Sequence, residues 1–437
     1  MKRLTERADE LLAGTQAVTS GLRTGERAFS YQHRSVRHRL VLDGRGGKQS
    51  VLQKDRRDGY ILLTRGDNGL YVNAPELGGT AATDFLRAGR DLLPRSRCRR
   101  PMTDRTLHQN PEDGPVNWRN AVERTDLAAL AADPHFLVDV LATGAGSGRK
   151  VRRVQISDVL REAAYTDSGG SWGISVCQGV ELEVVVAAGE SAAVLSCYAT
   201  SLDRMDVAGL GRDGALLAGG LQPSSAAFHG EEVTFLPSAT AQLLRAIVSS
   251  LLRNPMPEGL PDGLEILECG REIDGWSTHA FDCEGTPTGT RELVTRRGQQ
   301  NPTVTRLGST AGDGAGDRLT GSAVWDAGYG YPQVGVTNVR LGPTATGADF
   351  WAGDRCVVVD AQPLGVENHR SSGHLAFRLR AVRAVDGELA ESYLPLILDG
   401  DPARILGAVR AVGDVVTYHP GLYSVGGSPL TMSLASS

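Results

Sequence analysis

Lysine is nearly absent: Lys2, Lys48, Lys54 and Lys150 are the only ones in 437 residues, so arginine carries almost all the positive charge. With abundant alanine, glycine and valine, that bias points to a GC-rich bacterial genome rather than to a binding partner. No uninterrupted apolar run reaches the ~18 residues that a membrane-crossing helix needs. The opening, MKRLTERADELLAG, is charged but has no continuous apolar stretch behind it, which argues against an export signal. A cytoplasmic protein without a membrane partner is therefore expected. Cys98, Cys177, Cys197, Cys269, Cys283 and Cys356 are scattered, with no CxxC pair. Such spacing supports neither a disulfide framework nor a zinc ribbon, and the thiols read as reduced and mostly buried. The basic run PRSRCRRPMTDR, residues 94–105, has no interleaved aromatics and reads as a solvated loop, so nucleic acid is not an expected partner. A formal net charge of −5 does not call for one either.

What is present is patterned. The length is enough for two cores. A helix is expected over Thr5–Gln16, and strands over Phe29–Leu42 and Asp58–Thr64. Helices follow over Ala82–Leu93, which Pro94 closes, and over Asn117–Ala132. His33 and His38 fall in the first strand with Arg34, Arg37 and Arg39 and read as a solvated basic face. Val151–Ala164 and Ile174–Ala188 alternate as two arms of a hairpin joined through Thr166-Asp-Ser-Gly-Gly170, where glycine supplies the positive φ of a tight turn. The Gly/Ala/Ser-rich stretch Gly209–Gly230 marks a boundary crossed by a short helix and separates domains at 1–215 and 225–437.

Beyond it come a strand, Glu232–Leu236, and the helix Thr240–Asn254. In that helix Leu243, Leu244, Ile247, Val248, Leu251 and Leu252 form one apolar stripe, so it should be buried; Pro255, Pro257 and Gly259 end it. Short strands and Gly-rich turns fill the remainder. The fold class is α+β: an N-terminal α/β domain followed by a β-rich, barrel or sandwich-like C-terminal domain.

Several stretches of the second half resemble the TldD/PmbA family of peptidase-like proteins, also described as modulators of DNA gyrase. Phe281-Asp-Cys-Glu-Gly-Thr-Pro-Thr288 resembles its FDDEGxPT stretch. Thr320-Gly-Ser, Val336-Thr-Asn-Val339 with Gly342, and Asp386-Gly-Glu388 resemble later elements in the same order. In the first half, Asp167-Ser-Gly resembles the family's Asn-Ser-x-Gly turn. In the zinc-bearing TldD branch the central helix reads LLHEAxxH and a cysteine ligand follows near the C-terminus. Here Leu243-Leu244 match, but Arg245, Ala246 and Ser250 stand at the His, Glu and His positions, and no cysteine follows Cys356. A guanidinium, a methyl group and a neutral hydroxyl do not replace imidazole and carboxylate.

The resemblance therefore implies a non-catalytic, TldE-like subunit with no metal of its own. It would pair as a heterodimer with a zinc-bearing TldD-like catalytic subunit, forming a peptidase for small or unfolded peptides. Maturation of peptide-derived natural products is one setting for such pairs. Arg245, Ser249 and Ser250 are the residues expected to face a shared chamber, although the two serines also read as hydroxyls bonding back to carbonyls one turn earlier. His419 is the tail residue offered in place of the missing cysteine, and a turn position suits it better. The alternatives are a stand-alone hydrolase or transferase built on Cys283 and His279, or a metal-free homodimeric scaffold. Asp282 and Glu284 beside Cys283 oppose thiolate formation. His369, His374 and Glu367 form a further set with metal-competent side chains.

Overall fold

The computed structural model describes residues 2–44, 47–66, 68–96, 116–120, 125–222, 224–253, 262–305, 319–326, 330–364, 373–421 and 423–434. Most of the basic run 94–105, Cys98, the helix-ending Pro255, Pro257 and Gly259, and Glu367 and His369 lie outside these residues.

Helix α1 (Lys2–Ser20) extends the expected one at both ends. Strands β1 (Glu26–Asp43) and β2 (Lys48–Arg65) form a long antiparallel hairpin in which Tyr31 faces Tyr60 and Arg37 faces Lys54. β3 (Asn68–Asn73) adds to β2. α2 (Ala81–Leu92) gives way to a single 3₁₀ turn over Leu93–Arg95; Pro94 has no N–H with which to continue the α-helical bonding.

The Arg90 guanidinium on α2 grips the buried Glu26 carboxylate through Nε and Nη2, at 2.9 and 2.8 Å, and the Arg23 N–H donates to it at 2.8 Å. These bonds, those from Arg90 foremost, hold the Glu26 carboxyl down to about 2 from its ordinary 4.5. Because the folded value lies below the unfolded one, the stabilisation is complete above pH 4.5 and is lost as pH falls toward 2. Glu26→Gln is expected to flatten that acid limb, on the order of 3 kcal/mol, in urea midpoints measured against pH.

The helix expected over 117–132 is corrected. β4 (Val116–Asn120) pairs in parallel with Trp172–Ala188, and only α3 (Leu127–Ala132) is helical, capped by the Asp126 carboxylate accepting from the Ala128 and Ala129 N–H groups. Val116 and Trp118 pack against the aromatic cluster of Phe29, Tyr60 and Tyr165. That pleated, half-buried surface suits β-branched and aromatic side chains, and tertiary packing overrides local helical preference. A further helix, α4 (His135–Ala145), follows with Pro134 at its N-cap.

β5 (Arg149–Asp167) and β6 (Trp172–Ala188) form the expected hairpin. Asp167 Oδ1 accepts from the Gly169 and Ser171 N–H groups, and Gly170 takes φ of 91°. β7 (Ser191–Ala199) follows, then α5 (Val207–Gly220), capped by Asp206. α5 is the crossing helix: its Gly214 lies against Val186 of β6, and its Gly219 and Gly220 against Leu389 and Val359 of the second half.

β8 (Glu232–Phe235) leads into α6 (Pro237–Leu251), which has proline in its first turn, where no intrahelical N–H is needed. The C-terminal strands are β9 (Ile266–Cys269), β10 (Thr290–Val294), β11 (Ala323–Asp326), β12 (Tyr331–Val334), β13 (Asn338–Leu341), β14 (Asp354–Pro363), β15 (Leu375–Val385), β16 (Glu388–Ser392) and β17 (Leu396–Gly400). The short α7 (Pro402–Gly407) precedes β18 (Val409–Val412), β19 (Thr417–His419), β20 (Ser424–Gly427) and β21 (Leu430–Ser433).

One long sheet runs β10-β9-β13-β20-β19-β7-β6-β5-β1-β2-β3, with β4 beside β6; a second runs β16-β15-β14-β8-β21-β18, with β17 beside β15. Among the described residues neither sheet closes, so the barrel alternative for the second half gives way to open sheets. α6 packs against β14 of one sheet and β20 of the other, and its apolar stripe is the centre of the largest core cluster. The long sheet takes strands from both halves of the chain, joined where Tyr418 of β19 pairs with Tyr198 of β7.

Candidate functional site

Side chains on a strand alternate between faces, and pairing register decides which residues of neighbouring strands share a face. On β1, Tyr31, His33, Ser35, Arg37 and Arg39 share one. Opposite them on β2, Asp58 meets His33, Arg56 meets Ser35 and Lys54 meets Arg37; on β5, Arg161 meets Ser35. This face and the segments carrying Trp276–Cys283, Ala323–Trp325 and Val336–Thr337 enclose a cavity of about 510 Å³. The alternate residues face away: Arg34 is buried and pairs with Asp55 at 2.7 Å and Glu162 at 3.5 Å. The single solvated basic face read from the sequence is thus corrected to two faces, one of which lines a cavity.

Of the family-like stretches, Phe281–Thr288 and Val336–Val339 meet at the floor of this cavity, whereas Asp386–Glu388 lies at the β15–β16 turn of the second sheet. Asp282 Oδ1 accepts from the Glu284 and Thr286 N–H groups, and Oδ2 from the Ala323 N–H, all at 2.9 Å. The Tyr60 hydroxyl donates to the Cys283 carbonyl at 2.8 Å. Behind the floor, Glu268 accepts from the Thr337 N–H and hydroxyl, from Ser322 and from Arg291. Asn338 Oδ1 accepts from the Ser277 N–H, and its Nδ2 donates to the Cys269 carbonyl and to Thr278 Oγ1.

Charge on the cavity wall is unbalanced. Arg161 is only 5% exposed; its Nη2 donates to the Tyr198 hydroxyl at 2.9 Å, and its guanidinium lies 4.8 Å from the Trp276 ring centre. Arg37 pairs with Glu181 at 3.0 Å, and Arg56 with Asp58 at 2.7 Å. Among the described residues no carboxylate lies within ion-pair distance of Arg39, Lys54 or Arg161. The rings of His33 and His279 stand 5.9 Å apart, edge to face. Burial, and then the Arg161 charge, push His33 down to about 4 and His279 well below its usual value, so both are neutral imidazoles near pH 7.

The structure brings His279 and Cys283 to this same cavity, with Cys283 4% exposed. Arg245, Ser249 and Ser250 are grouped elsewhere, where α6 meets the C-terminal tail. Arg245 Nη2 donates to the Pro420 and His419 carbonyls at 3.3 and 3.4 Å, and burial lowers its pKa. Ser249 contacts the Tyr423 hydroxyl at 2.9 Å rather than bonding back along the helix, and Tyr423 donates to the Arg245 carbonyl. Ser250 is buried. Gly421, against the Arg245 guanidinium, also lines the cavity, so the two loci are neighbours. His419 is not a surface turn residue: Nδ1 is 2.8 Å from the Ser196 carbonyl, and burial pushes it down to about 4.

Zinc does not fit the helix–tail locus. A guanidinium directed at two carbonyls offers no lone pair, and Ala246 offers no polar atom. Among the described residues no three His, Cys, Asp or Glu side chains are grouped to hold a metal. His374 stands 3.7 Å from Asp399.

Arg161 and Trp276 escaped the sequence reading. Arg161 sits in an apolar-alternating arm where one charge reads as an ordinary outward residue, and only register shows it opposite Ser35. The odd-numbered spacing of His33, Arg37 and Arg39 was the available signal.

A profile of the PmbA/TldA metallopeptidase C-terminal domain matches residues 232–432. No curated protein matches the chain. Among solved structures, a protein described as a modulator of a DNA gyrase from Thermotoga maritima MSB8 is similar, with a TM-score of 0.68 at 14% identity over 98% of this chain and 99% of the other. TldE from Thermococcus kodakarensis gives 0.67 at 14% identity, covering 96% and 97%. A modulator-of-DNA-gyrase protein from Bacteroides thetaiotaomicron VPI-5482 gives 0.64 at 13% identity, covering 98% and 99%. At these identities the likeness is one of fold. Among the described residues no helix is long and apolar enough to cross a membrane.

Proposed function

Residues 232–432 make this chain a member of the PmbA/TldD family, and from that premise we propose that it is the non-catalytic, TldE-like subunit of a heterodimeric peptidase. A zinc-bearing TldD-like chain would supply the metal and the attacking water, and this chain the wall and partner interface of a chamber for small or unfolded peptides. The assembly would be cytoplasmic, with peptide-derived natural products among its substrates.

The observation that carries the reading is Arg245, a cation at the helix position where the zinc-bearing branch has its first histidine, hydrogen-bonded to tail carbonyls at 3.3 and 3.4 Å. A positive charge held there repels a second cation.

Co-expression with a TldD-like chain is expected to yield a one-to-one complex on light scattering, with about one zinc per pair by mass spectrometry and background zinc in the isolated subunit. Stoichiometric zinc in the isolated chain would overturn the reading. Peptidase activity of the isolated chain that disappears in Cys283→Ala would support the rival built on Cys283 and His279 instead.

A further inference from the structure

We infer that the cavity between the β1–β2–β5 face and the Trp276–Cys283 segment binds the carboxylate of a peptide, either an acidic side chain or a free C-terminus. The word peptide rests on the proposed role as a chamber wall; the carboxylate rests on the cavity itself.

Arg161 is 5% exposed and lines this space with no acidic partner among the described residues; its Nε is buried without an acceptor, as is the indole Nε1 of Trp325 on the opposite wall. A buried guanidinium without a counter-charge is costly unless a ligand supplies one. The acidic groups of the wall do not fill that role, since Asp58 is held by Arg56 and Asp282 by three backbone N–H groups. Glu181, close by, is occupied by Arg37. Arg39 and Lys54 add unpaired positive charge at the rim, and the neutral imidazoles of His33 and His279 can each donate one N–H.

The aromatic lining favours a carboxylate carried on an organic chain. Tyr31, Phe281, Trp276 and Trp325 provide apolar surface for the stem, and the planar guanidinium matches the two oxygens. At about 510 Å³ the space is within the ordinary range for ligand sites. A second cavity, about 560 Å³ between β7, α5 and residues 347–351, has its arginines already matched, Arg204 with Asp274 and Arg212 with Asp213.

The test is calorimetric titration of the full-length chain with four probes: an N-acetylated, C-amidated Gly/Glu hexapeptide, its Gln counterpart, the Gln peptide with a free C-terminus, and inorganic phosphate. Either carboxylate-bearing peptide is expected to bind about tenfold or more tighter than the amidated Gln peptide, with affinity falling as salt rises. The two carboxylate arms separate a side-chain source from a chain end. Arg161→Gln should remove that preference. Because Arg161 is buried, the double variant Arg39→Gln/Lys54→Gln, at exposed and half-buried positions, provides a second reading and should lose several-fold in affinity and in salt sensitivity. Equal binding of all three peptides, phosphate binding as tightly as the best peptide, an unchanged preference in folded Arg161→Gln, or unchanged affinity and salt dependence in the folded double variant would overturn the inference. The titration needs neither zinc nor the partner. A carboxylate preference without complex formation leaves this inference standing and the subunit reading fallen, and complex formation without the preference does the reverse.

Discussion

Leucine in place of Glu268 is expected to lower stability by about 3–5 kcal/mol, the loss typical of breaking a buried charge pair by removing one partner. Glu268 is 2% exposed, and its two oxygens divide their work. Oε1 accepts from the Thr337 N–H at 2.8 Å and from the Thr337 hydroxyl at 3.1 Å. Oε2 takes Arg291 Nε at 2.7 Å and Ser322 at 2.9 Å. A single carboxylate therefore joins β9, β10, the segment before β11 and the segment before β13. Removing it takes the counter-charge from the largely buried Arg291 and the acceptor from the Thr337 N–H. Glu268→Gln keeps the volume and one acceptor, so its loss should be smaller. Urea unfolding of the three proteins side by side checks the order, and a leucine variant as stable as wild type would mean that these bonds contribute nothing net.

Asn338→Leu is the second large effect, expected at about 3 kcal/mol. The side chain is fully buried, and leucine keeps its branching while swelling the amide into two methyl groups, so the substitution removes the bonds and adds some overpacking. The part-buried Ser277 N–H loses its acceptor, at a penalty of about 1–3 kcal/mol, and the buried Cys269 carbonyl loses one donor while keeping the Glu272 N–H. The same bonds hold the segment carrying Trp276 and His279 over the cavity, so intrinsic fluorescence should report a changed Trp276 environment even in the folded variant. Glu268 and Asn338 grip adjacent points, Thr337 and Asn338 itself, and the double variant should lose less than the sum of the singles. Strict additivity would show that the two networks are independent.

These two residues also explain why the family-like stretches were visible in sequence. Phe281–Thr288, Thr320–Ser322 and Val336–Val339 supply no cavity chemistry of their own beyond lining. They are the turns, acceptors and donors that hold the floor together, and a turn needs particular residues at particular offsets. Asp282 must accept from N–H groups two and four residues on, and Asp386 sits at φ of 49° before Gly387 at 81°, where few residues are tolerated. Local geometry of this kind leaves a local signature.

Local spacing also marked the β5–β6 hairpin, the start of α2 and the buried stripe of α6, because helical and strand periods are properties of the residues themselves. Where those elements met was decided only by tertiary structure. The strand at 116–120 formed because an aromatic cluster from distant segments gave Trp118 a pleated surface to pack on, and Arg161 faced a cavity because pairing register set it opposite Ser35. Register and packing depend on contacts between residues that lie from about fifty to more than a hundred positions apart, and no short window along the chain contains them.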